Sequence, residues 1–354
     1  MTSLRSRRPN TTRTAALIVA AGSLCLLLGG CSGNSSAHAA TGQSLVLYNA
    51  QHEQTTNAII AAFEKQTGIK VVTDNDDEDT LTAKIEQEGS QSPADLIYTE
   101  NSNWLVQLDQ AGLLAPVDSS TLANVPNQDS GTDGNWVGVS ARVSGLVYNT
   151  NDLSAAQLPT SVMQLADPAW KGKIEVAPAE TDFWPVIDLV DRQYGDAATL
   201  NWLAGLKANA GANDNVPDNE TLTSDVSQGI TQLALINSYY LHRLQDELGA
   251  NAVHASFAPF AAGDAGYVEG ISGAAILKSS THRAAAQQFL QFLTSTAGQT
   301  VIAHSESFEY PLAHGVAANS ALPPLSTLSP ANFTPAELGT GITAKTLLQQ
   351  AGLL

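Results

Sequence analysis

The chain is nearly without cysteine, short of basic side chains and poor in aromatics, and each shortage removes a class of explanation. Only Cys25 and Cys31 occur among 354 residues, too few for a disulfide framework or a thiolate metal site. Lys and Arg number 16 against 34 Asp and Glu, a formal net charge of −18. So acidic a surface repels phosphate backbones and anionic headgroups, so no nucleic-acid partner is expected. There is no GxSxG elbow, no HExxH, no P-loop and no Ser-x-x-Lys set with its partner motifs. The common hydrolase and nucleotide chemistries therefore have no nucleophile, zinc helix or phosphate cradle to start from. Aromatic residues make up only 6% of the chain, yet "INSYY" sets Tyr239 beside Tyr240 just past an apolar run. Paired tyrosines are most often half-buried packing residues with wet hydroxyls, so the pair needs company before it means more.

The N-terminus sets the compartment. Arg5, Arg7, Arg8 and Arg13 precede the charge-free stretch "AALIVAAGSLCLLLGG", which reads as a signal segment rather than a permanent span. It runs into Leu28-Gly29-Gly30-Cys31, which resembles a bacterial lipobox, where the Cys is diacylated and becomes the new N-terminus. "SRRPN" has a twin-arginine look without the apolar residues that should follow it. Residues 1–30 are expected to be a lipoprotein signal peptide, Cys31 the lipidation site, and residues 31–43 a polar tether holding a domain off the membrane. Cys25 would leave with the signal. Its removal takes four Arg and no acid, leaving 12 basic against 34 acidic residues and a net charge of −22. The expected location is extracytoplasmic.

The rest is long enough for two lobes with their own cores, and its periodicity alternates. "SLVLYNA" reads as a buried strand and "EQTTNAIIAAFEKQTG" as an amphipathic helix, with Ile59, Ile60 and Phe63 on one face and Gly68 past its end. "IKVVTD", "ADLIYT", "GLVYN", "KIEVAP", "ITQLALIN" and "GAAILK" read as further strands among helical or turn segments such as "SNWLVQLDQAG" and "THRAAAQQFLQFLTS". That alternation predicts an α/β fold with largely parallel sheets. Ligands of open α/β sheets bind outside the carboxyl ends of the strands. His52 lies two residues past the first strand, Glu100 directly follows "DLIYT", and the tyrosines follow "ITQLALIN". Each alone has a plainer account; Glu100, for instance, suits the first turn of a helix. Together they offer an imidazole, a carboxylate and two phenols. Adjacent side chains on a helix diverge by about 100°, so both tyrosines reach one ion only from a helix start or a bent segment.

The chain resembles the periplasmic ferric-ion-binding proteins, the iron branch of the type II solute-binding proteins served by ABC importers. The residues that carry the resemblance are "VLYNAQHEQTTNAIIAAFEKQTGIKV", "ADLIYTENSNWLVQLDQAGLLAPV", "WVGVSARVSGLVYN", "DPAWKGKIEVAP", "QLALINSYYLHRL", "VEGISGAAILKSSTHRAAAQQFLQFLTS" and "EYPLAHGV". The His after the first strand, the Glu of "YTE" and the double Tyr are the marks of the iron branch. The resemblance implies His52, Glu100, Tyr239 and Tyr240 as ligands of Fe3+, a hard ion that prefers oxygen and tolerates imidazole. It also implies a two-lobed type II periplasmic-binding-protein fold with two hinge crossovers, near residues 142 and 269. The implied lobes are 44–141 plus 270–321 and 142–269 plus 322–354, with the tyrosines and the His–Glu pair on opposite sides.

Arg142, Asn219 and Asn237 match positions that the family uses for a synergistic anion. Two departures bear on that anion. Ser144 stands where the family commonly has a second Arg, and "APAETDF" carries Glu180 and Asp182 where small residues are expected. Two extra carboxylates disfavour phosphate, leaving bicarbonate, citrate or water. The expected protein is a monomeric, lipid-anchored binding component that delivers iron to a permease with its ATPase. The alternative is a binding protein of the same fold for a sugar, thiamine or a phosphonate. A hydrolase using Glu100 and His52 is the reading from another class.

Overall fold

Short runs of β-branched and aromatic residues, bounded by turn residues, build ten strands in the computed structural model, which describes residues 44–354. The expected signal peptide over 1–30, Cys31 and the tether over 31–43 lie outside the described residues. The strands are β1 (Ser44–Ala50), β2 (Lys70–Asn75), β3 (Leu96–Thr99), β4 (Leu114–Ala115), β5 (Trp136–Asn149), β6 (Ile174–Glu175), β7 (Leu233–Asn237), β8 (Ala255–Ala258), β9 (Glu269–Leu277) and β10 (Tyr310–Pro311). They follow the order β2-β1-β3-β9-β5-β7-β6, with β4 on β9 and β8 and β10 on β5.

The expectation of largely parallel sheets is corrected. Only β1–β2, β1–β3 and β6–β7 pair in parallel, whereas β5 and β9 run antiparallel to every partner. The reason is β5, whose 14 residues are all buried. Its first part pairs β9 and its second part pairs β7 and β8, so one strand serves both halves of the fold. A strand buried on both faces shows no alternation that would reveal its direction.

Of three hydrophobic clusters among the described residues, the smallest holds Leu222, Val226, Ile236, Tyr239 and Tyr240, and the two larger ones are the main cores. One gathers Leu45, Leu47, Phe63, Leu96, Trp136 and Phe289. The other gathers Val186, Ile187, Trp202, Leu203, Leu233 and Leu348. The helix Glu53–Thr67 shows how sequence makes an element: Ile59, Ile60 and Phe63 face the first core, and Gly68 at φ 75° ends it with its N–H on the Glu64 carbonyl. Near the crossing, Ser144 donates to the Gly266 carbonyl and accepts from the Val268 N–H, both at 2.8 Å. The residue that replaces the expected Arg thus pins β5 to the chain entering β9. Gly270 is needed here too, because a Cβ on it would stand 2.9 Å from the Arg142 Nε.

The lobes meet across a cleft. Trp104, in the helix Ser102–Gln110, packs into the second core with its ring 5.9 Å from that of Trp184. Beside it, the buried Glu78 carboxylate accepts from the Trp104 Nε1, the Asn101 N–H and the Thr181 hydroxyl. A carboxylate from one side thus takes a hydrogen bond from each.

Candidate metal centre

His52 leaves β1 as the residue that precedes the helix Glu53–Thr67, and Glu100 leaves β3 just ahead of the helix Ser102–Gln110. Across the cleft, β7 ends at Asn237 and the helix Ser238–Leu248 begins, so Tyr239 and Tyr240 occupy its first turn. This start resolves the divergence of neighbouring helical side chains. Both phenols turn to one point, with ring centroids 4.2 Å apart and planes 35° apart.

That point is Asp182. Its Oδ2 accepts from Tyr239 at 2.9 Å and from Tyr240 at 3.0 Å, while its Oδ1 pairs with the Arg142 Nη2 at 3.2 Å. The His52 Nδ1 lies 2.8 Å from Glu100 Oε1, and Glu100 Oε2 is 3.4 Å from the Tyr239 hydroxyl. The His52 ring meets the Tyr239 ring edge-on at 5.2 Å. The structure therefore brings His52, Glu100, Tyr239 and Tyr240 together and adds Asp182. Sequence reasoning met this carboxylate only as an obstacle to an anion. Its sole signal was an acid in "APAETDF" where a small residue was expected.

The expected anion residues are placed differently. Arg142 is 1% exposed, and its guanidinium donates to the Glu100 carbonyl, Asn101 Oδ1, Asp182 and Ser272. Asn219 opens the helix Asn219–Gln228 and donates to Glu180 at 3.2 Å, and Asn237 is buried at the end of β7. Between Arg142 and the tyrosines stands the Asp182 carboxylate.

The electrostatics favour a cation. Burial pushes both tyrosine pKa values well above the usual range, and the charges of Asp182 and Glu100 push them further. Asp182 itself is held low: burial opposes its charge, but Arg142 and the two phenolic donors outweigh burial. His52 is raised, because the neighbouring Glu100 outweighs the burial that would lower it. Glu180 is pushed up to about 8, first by burial and then by Asp182. The adjoining cleft encloses about 860 Å³, and its walls carry eight acidic side chains, of which Glu78 and Glu180 are pushed up to about 8, against the single ammonium of Lys345.

One atom points at a missing partner. The His52 Nε2 is buried and has no hydrogen bond, one of eleven such side-chain atoms among the described residues and the one on the imidazole that meets Glu100 and the Tyr239 ring. Once His52 is neutral with Nδ1–H donating to Glu100, Nε2 presents a bare lone pair, the form in which imidazole binds metals; the upward shift makes its proton one the metal must displace. Among the described residues, no group of three or more His, Cys, Asp and Glu side chains is gathered tightly enough to hold a metal. Here the phenols are needed to complete the donor set.

A two-lobed α/β fold with oxygen donors converging in its cleft suits the capture of a cation. The chain belongs to the bacterial extracellular solute-binding protein family, which residues 49–300 match. That sets the hydrolase reading aside. It is 37% identical to the Fe(3+)-binding periplasmic protein of Serratia marcescens over 89% of this chain and 92% of that one. It is 34% identical to the major ferric iron-binding protein of Neisseria meningitidis serogroup B, over 87% and 93%. Among solved structures, iron-bound HitA from Pseudomonas aeruginosa matches with a TM-score of 0.84 and 38% identity over 88% of this chain and 99% of that one. The Trichodesmium protein IdiA (FutA), in complex with iron and citrate, matches with a TM-score of 0.78 and 27% identity over 88% and 100%.

Proposed function

We propose that this protein binds ferric iron between its lobes through His52, Glu100, Tyr239, Tyr240 and Asp182, and hands it to an ABC permease with its ATPase. The observation that carries the reading is two phenolic hydroxyls donating to one carboxylate oxygen at 2.9 and 3.0 Å, opposite a paired His52 and Glu100. In this form protons occupy the place of the metal. A bound cation displaces protons from its ligands, and loss of both phenolic protons leaves four negative ligands: two phenolates and two carboxylates. With the Arg142 guanidinium the sum is −3, which balances Fe3+ with His52 neutral. Asp182 thereby supplies inside the chain the charge that an added bicarbonate or citrate would otherwise bring. The starts of the helices Glu53–Thr67 and Ser238–Leu248 favour the negative ligands beside them.

The lobes are taken as 44–141 plus 270–321 and 142–269 plus 322–354. His52 and Glu100 then belong to the first and Asp182 and the tyrosines to the second, so iron selects the closed form, the one that offers every ligand. Cys31 carries the lipid anchor on the outer side of the plasma membrane, and Cys31→Ala is expected to free the protein from the membrane fraction. Equal membrane retention of both forms would remove the anchor from the account.

The test is a titration of the purified protein with ferric citrate. A phenolate-to-iron charge-transfer band saturating at one equivalent is expected, weakened by Tyr239→Phe or Tyr240→Phe and abolished by both together. A wild type that takes up no iron, or a double variant that keeps the band, overturns the assignment.

A further inference from the structure

We propose that Glu309 is a positioning residue of the iron site, holding His52 through Gln51 and Arg142 through Ser272; this rests on the iron reading above. Glu309 is 1% exposed and stands in the segment between the helix Thr296–Ala303 and β10. Its Oε2 accepts from Gln51 Nε2 at 3.2 Å and from the Ser140 hydroxyl at 3.1 Å, and its Oε1 accepts from the Ser272 hydroxyl at 2.8 Å. Three donors from three separated stretches of chain thus converge on one carboxylate.

Two of the three connections, those through Gln51 and Ser272, continue toward the metal centre. Gln51 Oε1 accepts the His52 N–H at 2.7 Å, fixing the backbone from which the imidazole projects. Gln51 Nε2 also donates to the Ser272 hydroxyl at 3.0 Å, and Ser272 receives the Arg142 Nη1 at 3.2 Å. Arg142 in turn orients Asp182 and the Glu100 carbonyl. With its single proton given to Glu309, Ser272 is left as an acceptor for both Gln51 and Arg142, so the carboxylate sets the direction of the whole chain of bonds. An amide at 309 would keep one acceptor oxygen and turn an NH2 toward groups that themselves donate.

The neighbouring residue marks the segment as constrained. Phe308 is the one non-glycine residue with positive φ, at 50°, among those described, a conformation that persists only where surroundings impose it. Its ring stacks on His242 at 5.6 Å, within the helix that begins with the tyrosines. Residues 308 and 309 together therefore touch the helix of the tyrosines and the supports of His52.

Groups that support metal ligands in this way usually affect affinity about 10- to 100-fold when changed. The experiment measures ferric affinity by competition against citrate for wild type, Glu309→Gln, His52→Ala and the double variant. Glu309→Gln is expected to weaken iron within that range while keeping the phenolate band, and the share of the loss that passes through Gln51 should vanish in the His52→Ala background, leaving the share that passes through Ser272 and Arg142. Wild-type affinity in Glu309→Gln, however far its apo melting temperature falls, overturns the proposal, as do losses that multiply independently in the double variant. If Glu309→Gln yields no folded protein, the same cycle with Gln51→Ala decides by the same criteria. A wild type without a band overturns the iron reading itself and this assignment with it, an outcome separate from a banded wild type whose losses multiply.

Discussion

Asp182 is the residue on which the chemistry of the centre turns. It is buried, it accepts both phenolic protons on one oxygen, and it faces a buried guanidinium on the other. Removing one partner of such a pair leaves an uncompensated charge, at about 3–5 kcal/mol. Asp182→Ala is therefore expected to lower the apo melting temperature and to weaken iron binding. Added bicarbonate should restore part of that binding, because the vacated position faces Arg142. The wild type should bind iron equally with and without added anion, and a wild type dependent on bicarbonate would remove Asp182 from the donor set. Hydrophobic patterning placed the His, the Glu and the tyrosines where the chain leaves a strand, but their reading as one set of ligands came from the resemblance to the ferric-ion-binding proteins. Asp182 was not so placed, since it lies in the short turn Thr181–Phe183, which carries no periodicity. What gives it meaning is contact with Arg142 and the tyrosines, 40 and 57 or 58 residues away. Glu309 was hidden for the same reason: its three donors come from positions 51, 140 and 272.

At the scale of elements, the site is a meeting of strand ends and helix starts, and its closure depends on how those elements touch across the cleft. Trp104 carries much of that contact, with its ring against Trp184 in the second core, while its Nε1 donates to Glu78 on its own side at 2.9 Å. Replacing a buried Trp with Ala costs about 3–5 kcal/mol, here drawn largely from a contact between lobes. Trp104→Ala is expected to enlarge the apo radius of gyration in small-angle scattering, while iron, bridging the lobes, restores the compact value. A variant equally expanded with and without iron would show that metal does not close the cleft. The alternation of strands and helices was legible, as Ile59, Ile60, Phe63 and Gly68 illustrate. Strand direction was not. Trp136–Asn149 is buried along its whole length, so its sequence records burial without recording that it crosses between the two halves.

For the molecule as a whole, the acidic balance couples stability to pH, and iron works against that coupling. Burial and then the charge of Glu100 push Glu78 up to about 8, against the pull of its Asn101 hydrogen bonds and Arg142. Burial raises Asp188 to about 7, with a smaller push from Asp191 against the Ala344 N–H. Burial and then Asp129 raise Glu269 to about 7, and burial alone raises Asp129 to about 6. Unfolded carboxyls titrate near about 4. From there up to about pH 8 the native protein holds protons that the unfolded chain has released, so stability falls as pH rises. The net charge of −18 acts in the same direction through self-repulsion. The apo melting temperature is therefore expected to be higher near pH 5.5 than near pH 8. Iron opposes the trend, because loading expels the phenolic protons and binds more tightly as pH rises, adding stability that grows with the ratio of free iron to Kd. The gap between loaded and apo melting temperatures should widen steadily from pH 5.5 to 8. Paired thermal melts across that range test both statements: an apo protein that gains stability with pH contradicts the buried acids, and a constant gap contradicts proton-displacing phenolate ligands.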